Sequence, residues 1–336
     1  MTVTRPLPVR SRADILACMQ AEKSALQTIR MSSPSPRTGV VICVVRDELT
    51  LLPHFLQHYR DMGVRRFAFV DNGSTDGTLQ YLLDQCDCDV FLHLGNYRAA
   101  GTGMAWKNLL LRAYAPSPWY LSLDADEHLV YDGWPGQDID SFAETLGKSG
   151  KRVATAILID MYSPGPVLQT RVEAHRSLLE TFPQFDGEGY LVSMPKDWRA
   201  QGFPQMNIRG GPLRRVMNDL QALGWLAKAP LILESDIYFG NPHSVNPVEL
   251  NFAAPHTALL HFRLSGELPA KAIRVADWQT YSAGSLSDYQ QLHERLRQDP
   301  GLSFSYPGSV RFSSPGQLIE RGMICGVSHQ LSSNPC

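Results

Sequence analysis

The sequence lacks several patterns that mark whole classes of protein. No apolar run reaches the roughly 18–20 residues that cross a bilayer, and the N-terminus lacks the apolar core of a secretory signal. The formal net charge is only −2, so no excess of positive charge indicates non-specific nucleic-acid binding. We therefore expect a cytoplasmic protein, at most peripheral at the inner membrane, with no transmembrane segment and no nucleic-acid partner.

Cysteine is sparse and poorly spaced for metal binding or cross-linking. Of the six cysteines, only Cys86 and Cys88 lie near each other, and no Cys-x₂-Cys pair of the kind found in zinc sites is present. Thiols in a reducing compartment are the simpler interpretation. With 336 residues, 43% of them hydrophobic, the chain can bury one large core or two modest ones.

Four apolar runs alternate with helical patterns in the first half of the chain. The runs cover 40–45, 66–70, 90–94 and 119–124, and the helical patterns cover about 49–62, 79–83 and 103–114. This alternation predicts an α/β fold with a Rossmann-like, mainly parallel sheet flanked by helices. Before it, residues 14–30 predict an amphipathic helix, either docked or in a partly disordered tail, and residues 32–36 predict a linker.

Polar residues follow each of these four strands. They are Arg46 to Glu48, Asp71 to Asp76, Gly95 to Arg98 and Asp124 to Glu127. Ligands of open α/β sheets bind at the carboxyl ends of the strands, so the sequence predicts a binding site at this edge.

The stretch Asp124-Ala125-Asp126 ends the fourth strand. If the chain stays extended there, both carboxylates share a face and suit a hard divalent cation such as Mg²⁺ or Mn²⁺. Taken by itself, the stretch is more typical of a solvated acidic turn that ends a strand.

The second half of the chain is less regular. Strands are predicted at 153–159, 231–233 and 257–262, and helices over 270–300 and near Gln317, whereas residues 163–215 are rich in Pro and Gly. Aromatic residues in that irregular part favour an ordered binding surface: Phe182, Phe185, Tyr190, Trp198 and Phe203. We predict an appendage and linker over 1–38, a catalytic domain over 39–265 divided at about 150, and a helical extension over 266–336.

The polar motifs together resemble a known family. Arg46-Asp-Glu48, Asp71-Asn-Gly-Ser-Thr-Asp76 and Asp124-Ala-Asp126-Glu resemble the nucleotide-sugar half of family 2 glycosyltransferases of GT-A fold. The downstream pieces are similar to a bacterial subgroup of that family and to family 92 glycosyltransferases. These pieces are Asp160-Met-Tyr, Asp186-Gly-Glu188-Gly-Tyr190, Arg209-Gly-Gly-Pro-Leu-Arg214, Lys228-Ala-Pro-Leu, His243 and His261-Phe-Arg263.

The resemblance implies a metal-dependent hexosyltransferase-type enzyme of glycan or polysaccharide biosynthesis. It would move a sugar from a nucleotide-sugar donor, UDP-linked first, to a hydroxyl of a glycan, lipid-linked, protein or small-molecule acceptor. It implies that Mn²⁺ or Mg²⁺ is held by Asp124, Asp126 and His261. The nucleotide sugar would be bound by Arg46, Glu48, Asp71, Arg98, Lys107, Asp124, Arg209, Lys228 and His243.

Some of these residues also have interpretations in which they take no part in binding or catalysis. Lys107 could be a solvated surface lysine, His261 a satisfied histidine at a strand end, and Asp76 a residue that only shapes its turn. The general base would come from Asp186, Asp160 or Glu188, with Asp186 the first choice, because the Glu-Asp pair that marks the base in many family 2 members is missing.

Three other functions compete. A sugar-phosphate nucleotidyltransferase of related fold would usually carry a Gly-rich basic loop after the first strand, where this chain has Arg46-Asp47-Glu48. A haloacid-dehalogenase-like phosphatase would use Asp124 as nucleophile, on a strand near the start of its domain. A non-catalytic sugar-binding protein is the third alternative, against which the intact acidic residues and His261 count.

Overall fold

The computed structural model describes residues 10–32, 38–193, 205–217, 225–265 and 283–326. The strands in these ranges are β1 (Gln27–Arg30), β2 (Val40–Val45), β3 (Phe67–Asp71), β4 (Cys88–Leu92), β5 (Tyr120–Leu123), β6 (Glu127–Tyr131), β7 (Val153–Asp160), β8 (Gln184–Asp186), β9 (Leu191–Ser193), β10 (Asn207–Arg209), β11 (Ala227–Ile232), β12 (Tyr238–Asn241), β13 (Ser244–Asn246), β14 (Thr257–His261) and β15 (Ser309–Arg311). The helices are α1 (Arg12–Glu22), α2 (Leu52–Asp61), α3 (Thr78–Leu83), α4 (Met104–Ala113), α5 (Ile139–Lys148), α6 (Leu178–Thr181), α7 (Gly211–Met217), α8 (Ala283–Gln298) and α9 (Pro315–Glu320).

One large mixed sheet organises the described residues. Its strand order is β1-β4-β3-β2-β5-β11-β7-β14-β6. Strands β4, β3, β2, β5, β7 and β14 run one way, and β1, β11 and β6 run the other. The carboxyl ends of the six parallel strands therefore meet the first residues of β6 and β11 at one edge. The predicted fold class, a mainly parallel sheet flanked by helices with a helical C-terminal extension, is confirmed for the described ranges.

Strand β2 lies at the centre of two hydrophobic layers. Val41, Cys43 and Val45 pack with α2 on one face, while Val40 and Ile42 pack with α4 and α1 on the other. A run of apolar, mostly β-branched residues buried on both faces is what a central parallel strand requires. The core is therefore divided by the sheet, and the polar strand ends lie outside it.

The connection from β5 to β6 forces the sheet to curl. Three strands separate the two in the sheet order, which would put them about 19 Å apart in a flat sheet. The four residue steps from Leu123 to Glu127 can span only about 14 Å. The chain does not stay extended through Asp126, because Asp124 to Glu127 form a turn in which Glu127 N donates to Asp124 O at 3.1 Å.

The N-terminal segment is also different from its prediction. A helix was expected over 14–30, but α1 ends at Glu22 and residues 27–30 form β1, which pairs with the open edge of β4. That pairing supplies backbone hydrogen bonds that stabilise the strand, and a helix prediction based on side-chain periodicity does not include them. Helix α1 is docked, as one alternative held, with Ile15 and Met19 buried against α4.

Two elements between 125 and 150 were missed. Strand β6 follows β5 too closely for a separate apolar run, and α5 begins at the N-cap Asp138, whose side chain accepts from Ser141 N. Helix α8 confirms the helical prediction for 283–298, and α9 confirms the one near Gln317. Residues 270–282 of that helical region, residues 33–36 of the predicted linker, Trp198 and Phe203 lie outside the described residues, whereas Asp299 and Pro300 are described and follow the end of α8.

We predict that Tyr59→Phe lowers the free energy of unfolding by about 2–4 kcal/mol. The Tyr59 hydroxyl donates to Glu127 O at 2.9 Å and accepts from Leu129 N at 2.8 Å, so its loss leaves two buried backbone groups unpaired. Urea unfolding followed by circular dichroism measures this. Tyr131→Phe is the matched control, because that hydroxyl serves a single carbonyl, Gln137 O, and equal losses in both variants would contradict the prediction.

Candidate active site

Two lysines and two carboxylates form a buried cluster at the carboxyl edge of the sheet. Lys228 Nζ, near the start of β11, donates to Glu127 Oε1 at 2.8 Å, to Glu127 Oε2 at 2.6 Å and to Asp124 Oδ2 at 3.2 Å. Lys107 Nζ, on α4, donates to Asp124 Oδ1 at 3.2 Å. We call these four residues the lysine cluster.

The lysine cluster is closed on the protein side and open at Asp124. The side chains of Lys107, Lys228 and Glu127 are at most 3% exposed, whereas that of Asp124 is 40% exposed. Lys107 is therefore not a solvated surface lysine, and that alternative is wrong.

The electrostatics of the cluster follow from burial and pairing. Burial opposes ionisation of Asp124, but Lys107 and Lys228 outweigh it and hold its pKa below the usual range. Burial also disfavours the Lys228 ammonium, yet Asp124 and Glu127 raise its pKa. Burial, with the neighbouring carboxylate of Asp124, raises the pKa of Glu127. The Lys228 ammonium is thus kept charged beside an accessible carboxylate.

A second set of charges lies next to the first, at the ends of β7 and β14. His261 Nε2 lies 3.5 Å from Asp126 Oδ2, and His261 Nδ1 lies 2.9 Å from Asp160 Oδ1. Arg263 donates to both oxygens of Asp160 at 2.8 Å. Burial disfavours the imidazolium, but Asp126 and Asp160 raise the pKa of His261 to about 9. Burial is likewise outweighed at Asp160, where Arg263 and His261 lower the pKa.

These residues fit a divalent cation only in part. In the described ranges no group of three His, Cys, Asp or Glu side chains is arranged to hold a metal ion. Asp126 and His261 are close enough to serve as two ligands, while both oxygens of Asp124 accept from lysines. The predicted metal set of Asp124, Asp126 and His261 stays a prediction, for which Asp126 and His261 are the better-placed members.

Asp71 offers an open acceptor at the end of β3. Its Oδ1 accepts from Gly73 N and Ser74 N, both at 2.9 Å, and its Oδ2 is buried without a hydrogen-bond partner among the described residues. Buried carboxylate oxygens rarely lack a partner, which makes this oxygen a candidate for a ligand donor. The Asx geometry explains the positive φ of 75° at Gly73, where only glycine turns without strain.

The other predicted donor-side residues surround this turn. Asp76 shapes it, as one interpretation held, by accepting from Leu49 N at 3.0 Å and Thr78 N at 2.9 Å. Arg46 and Glu48 follow β2 and are half-buried, and Arg98 is exposed in the loop after β4. All three lie on the predicted edge.

The candidate bases of the downstream half are not gathered at one point. Asp186 accepts from Tyr162 Oη at 2.7 Å and pairs with Arg215 through Nη2 at 3.0 Å and Nε at 3.1 Å. Glu188 is exposed, and Asp160 is held by Arg263 and His261 as described above. Each of the two buried carboxylates therefore has its own counter-charge.

Arg209 and His243 lie beyond the clusters. Arg209 donates to Asn207 Oδ1 at 2.8 Å, and its guanidinium lies 5.0 Å from the ring centroid of Trp225. His243 Nδ1 lies 3.1 Å from Ala227 O, and burial together with Lys228 lowers the pKa of His243 to about 4, so the ring is neutral at pH 7.

Sequence reasoning missed the roles of Glu127 and Arg263 at this site. Glu127 directly follows Asp126, but only the turn and the start of β6 aim its carboxylate at Lys228. Arg263 lies two residues after His261, and alternation along an extended strand end was the available signal that both face Asp160.

Comparisons with known proteins give no family. No family model and no curated protein matches the chain. A Bacillus anthracis protein assigned as a glucose-1-phosphate thymidylyltransferase, solved with sucrose, has a TM-score of 0.28 at 6% identity, covering 85% of this chain and 93% of its own. A 4-diphosphocytidyl-2C-methyl-D-erythritol synthase has a TM-score of 0.28 at 12% identity, covering 86% and 99%. TM-scores and identities this low give no information about the activity of this chain.

Among the described residues, every helix is too short or too polar to cross a bilayer.

We predict that the metal-free protein loses stability between pH 7 and pH 9.5 in a manner that depends on His261. The folded pKa of about 9 lies above the ordinary 6.5, so this stabilisation is complete below pH 6.5 and disappears as pH rises through 9. The shift corresponds to roughly 3 kcal/mol. Urea unfolding in EDTA should show that the free energy of unfolding falls more steeply with rising pH in wild type than in His261→Gln.

The exposed His175, whose side chain is 84% accessible, provides the control variant His175→Gln, which should follow the wild-type curve. Parallel curves for wild type and His261→Gln over this range would contradict the prediction.

Proposed function

We propose that the protein is a metal-dependent glycosyltransferase that moves a sugar from a nucleotide sugar, UDP-linked first, to an acceptor hydroxyl. The observation that carries this proposal is the lysine cluster: two buried ammonium groups meet an accessible carboxylate at the strand ends, beside Asp126 and His261. Glycosyl transfer requires a diphosphate to depart with its charge neutralised. Buried cations that are already oriented suit this task, because they need little rearrangement as the charge develops.

The donor would lie across the edge from Asp71 to Asp126. The unpartnered Oδ2 of Asp71 accepts a donor group of the nucleoside, since an ionised carboxylate can only accept. Lys107 and Lys228 face the diphosphate, with Asp124 holding both ammonium groups in place. Asp126 and His261 would hold Mn²⁺ or Mg²⁺, which when bound supplies Lewis-acid stabilisation of the leaving diphosphate.

The acceptor hydroxyl needs a base within hydrogen-bond reach. Asp186 keeps lone pairs beyond those that Arg215 and Tyr162 occupy. Glu188 is exposed and two residues away. Asp160, Asp186 and Glu188 stay the candidates for this role.

The rival functions fit the geometry less well. A haloacid-dehalogenase-like phosphatase would carry its nucleophile on a strand near the start of the domain, but Asp124 follows β5, after four other strands of the sheet. A nucleotidyltransferase needs an open loop after β2 for a triphosphate. Here that loop is bonded to the β3 turn, with Asp47 N donating to Ser74 Oγ at 3.0 Å and Thr75 N donating to Asp47 Oδ1 at 2.6 Å.

The assay that tests the proposal measures release of nucleoside diphosphate from a panel of nucleotide sugars with Mn²⁺ or with EDTA. We expect release with Mn²⁺ that EDTA abolishes, and Asp126→Asn should lower it by about 100-fold or more, because a metal contributes several kcal/mol. The fold should survive, since Asp126 lies in a turn at the sheet edge.

Asp61→Asn, at an exposed position of α2, is the control and should retain full activity. Release of inorganic phosphate from sugar phosphates, release of pyrophosphate from nucleoside triphosphates, or full activity in Asp126→Asn would refute the proposal.

A binding prediction is independent of the donor sugar. Mn²⁺ with UDP should raise the melting temperature, since a ligand at 100 times its Kd stabilises the native state by about 2.7 kcal/mol. Lys107→Met should reduce this shift, because it removes one ammonium group that faces the diphosphate. Differential scanning fluorimetry with UDP, GDP, ADP and CDP measures it, and no shift with any of these diphosphates would count against nucleotide binding altogether.

A further inference from the structure

The hydroxyl of Tyr190 is buried and has no hydrogen-bond partner among the described residues. Its ring is half-buried and packs against the main hydrophobic core. A tyrosine hydroxyl that lies inside a protein is nearly always bonded, and each exception calls for an explanation, such as a ligand that completes it.

Tyr190 packs against Gly210, and the next residue, Gly211, lies beside the buried carboxylate of Asp160. Pairing of β9 with β10 sets Leu191 opposite Arg209, so that Gly210 lies against Tyr190. A Cβ at Gly210 would come within 3.0 Å of Tyr190 Cδ1, and a Cβ at Gly211 within 3.6 Å of Asp160 Oδ2. Burial, Asp186 and Asp160 together raise the pKa of Tyr190 well above its usual range, so its hydroxyl stays protonated.

The C-terminal segment adds a second aromatic ring, that of Tyr306, next to the Arg215–Asp186 ion pair. Strand β15 pairs with β8 and sets Ser309 opposite Asp186, and Gly187 N donates to Gly308 O at 3.3 Å. This brings the half-exposed Tyr306 over Arg215, whose Cζ lies 3.8 Å from the ring centroid. Burial and the carboxylates of Asp186 and Glu188 raise the pKa of Tyr306 despite Arg215.

On the proposed function, we propose that Tyr190, Tyr306 and Glu188 form the acceptor subsite, and that the acceptor is a carbohydrate. A sugar ring has an apolar face of C–H groups and a rim of hydroxyls that both donate and accept. Two half-exposed aromatic rings match the face, the Tyr190 hydroxyl can pair with a ring hydroxyl, and the exposed Glu188 carboxylate accepts from others. A bare apolar lipid chain would leave these polar groups unpaired.

A line of contacts joins this subsite to the donor edge. Gly210 contacts Tyr190, and a Cβ at the next residue, Gly211, would lie 3.6 Å from Asp160 Oδ2. Asp160 Oδ1 lies 2.9 Å from His261 Nδ1, and His261 Nε2 lies 3.5 Å from Asp126 Oδ2. A sugar seated on Tyr190 therefore presents its hydroxyls toward His261 and Asp126, the residues that would hold the metal. Glycosyl transfer needs this adjacency, because it brings the attacking oxygen next to the anomeric carbon.

The test uses Tyr190→Phe in the full chain, with cellotetraose, maltotetraose and chitotetraose as probes. Saturation-transfer NMR in the presence of Mn²⁺ and UDP should show that at least one oligosaccharide binds wild type, and that Tyr190→Phe weakens it about 3–10-fold, as loss of one neutral hydrogen bond implies. UDP affinity should be unchanged. Failure of all three probes to bind wild type, or equal binding to both proteins, would overturn the proposal.

Stability distinguishes a ligand-binding hydroxyl from a structural one. Tyr190→Phe should keep or raise the melting temperature, because it removes an unpaired buried group. Tyr162→Phe should lower it, because that hydroxyl donates to Asp186 and contacts Ser309 Oγ at 2.9 Å. A clear loss of stability in Tyr190→Phe would also overturn the proposal. Absence of diphosphate release from every nucleotide sugar would refute the glycosyltransferase function while leaving sugar binding by Tyr190 measurable.

Discussion

The ammonium group of Lys228 is the interaction on which the arrangement of the edge depends. It joins the start of β6, through Glu127, to the end of β5, through Asp124, from its own place on β11. A fully buried cation is stable only while its carboxylate partners stay in place, and removing one partner leaves an uncompensated charge. The curl of the sheet, the turn from Asp124 to Asp126 and the direction of both carboxylates are therefore coupled to one contact, which Tyr59 supports from α2 by bonding the β6 backbone.

The dependence of the edge on contacts between distant residues explains why the fold was more predictable from the sequence than the site. Apolar runs such as Val40–Val45, and stops such as Gly63 at the end of α2, are local signals that determine strands and helices. The contacts of Asp124 are not local, because Lys107 is 17 residues away and Lys228 is 104 residues away in the chain. Spacing could place each of them at the edge, but only the curled sheet shows that both lysines contact the same carboxylate.

The errors in the predictions from sequence also come from contacts between distant residues. Residues 27–30 form a strand because β4 offers an unpaired edge, and their own periodicity carries no record of that edge. Phe182 and Phe185 were expected on a binding surface but are fully buried in the core, whereas Tyr190 is half-exposed with its hydroxyl unpaired. Aromatic content predicted order in this part of the chain. In its described portions, residues 163–193 and 205–215, packing against β7 and β15 decides which rings remain available to a ligand.

The charges of the edge also restrict what it can bind. Lys107 and Lys228 balance Asp124 and Glu127, while His261 and Arg263 balance Asp126 and Asp160. A divalent cation alone would compete with the protonated His261, and a diphosphate alone would add charge beside four carboxylates. A cation and a diphosphate together bring opposite charges that cancel, so the balanced edge favours their joint binding. The carboxylates of the edge would repel a nucleotide that arrives alone. On the proposed function, this repulsion is the reason that the nucleotide would bind together with its metal.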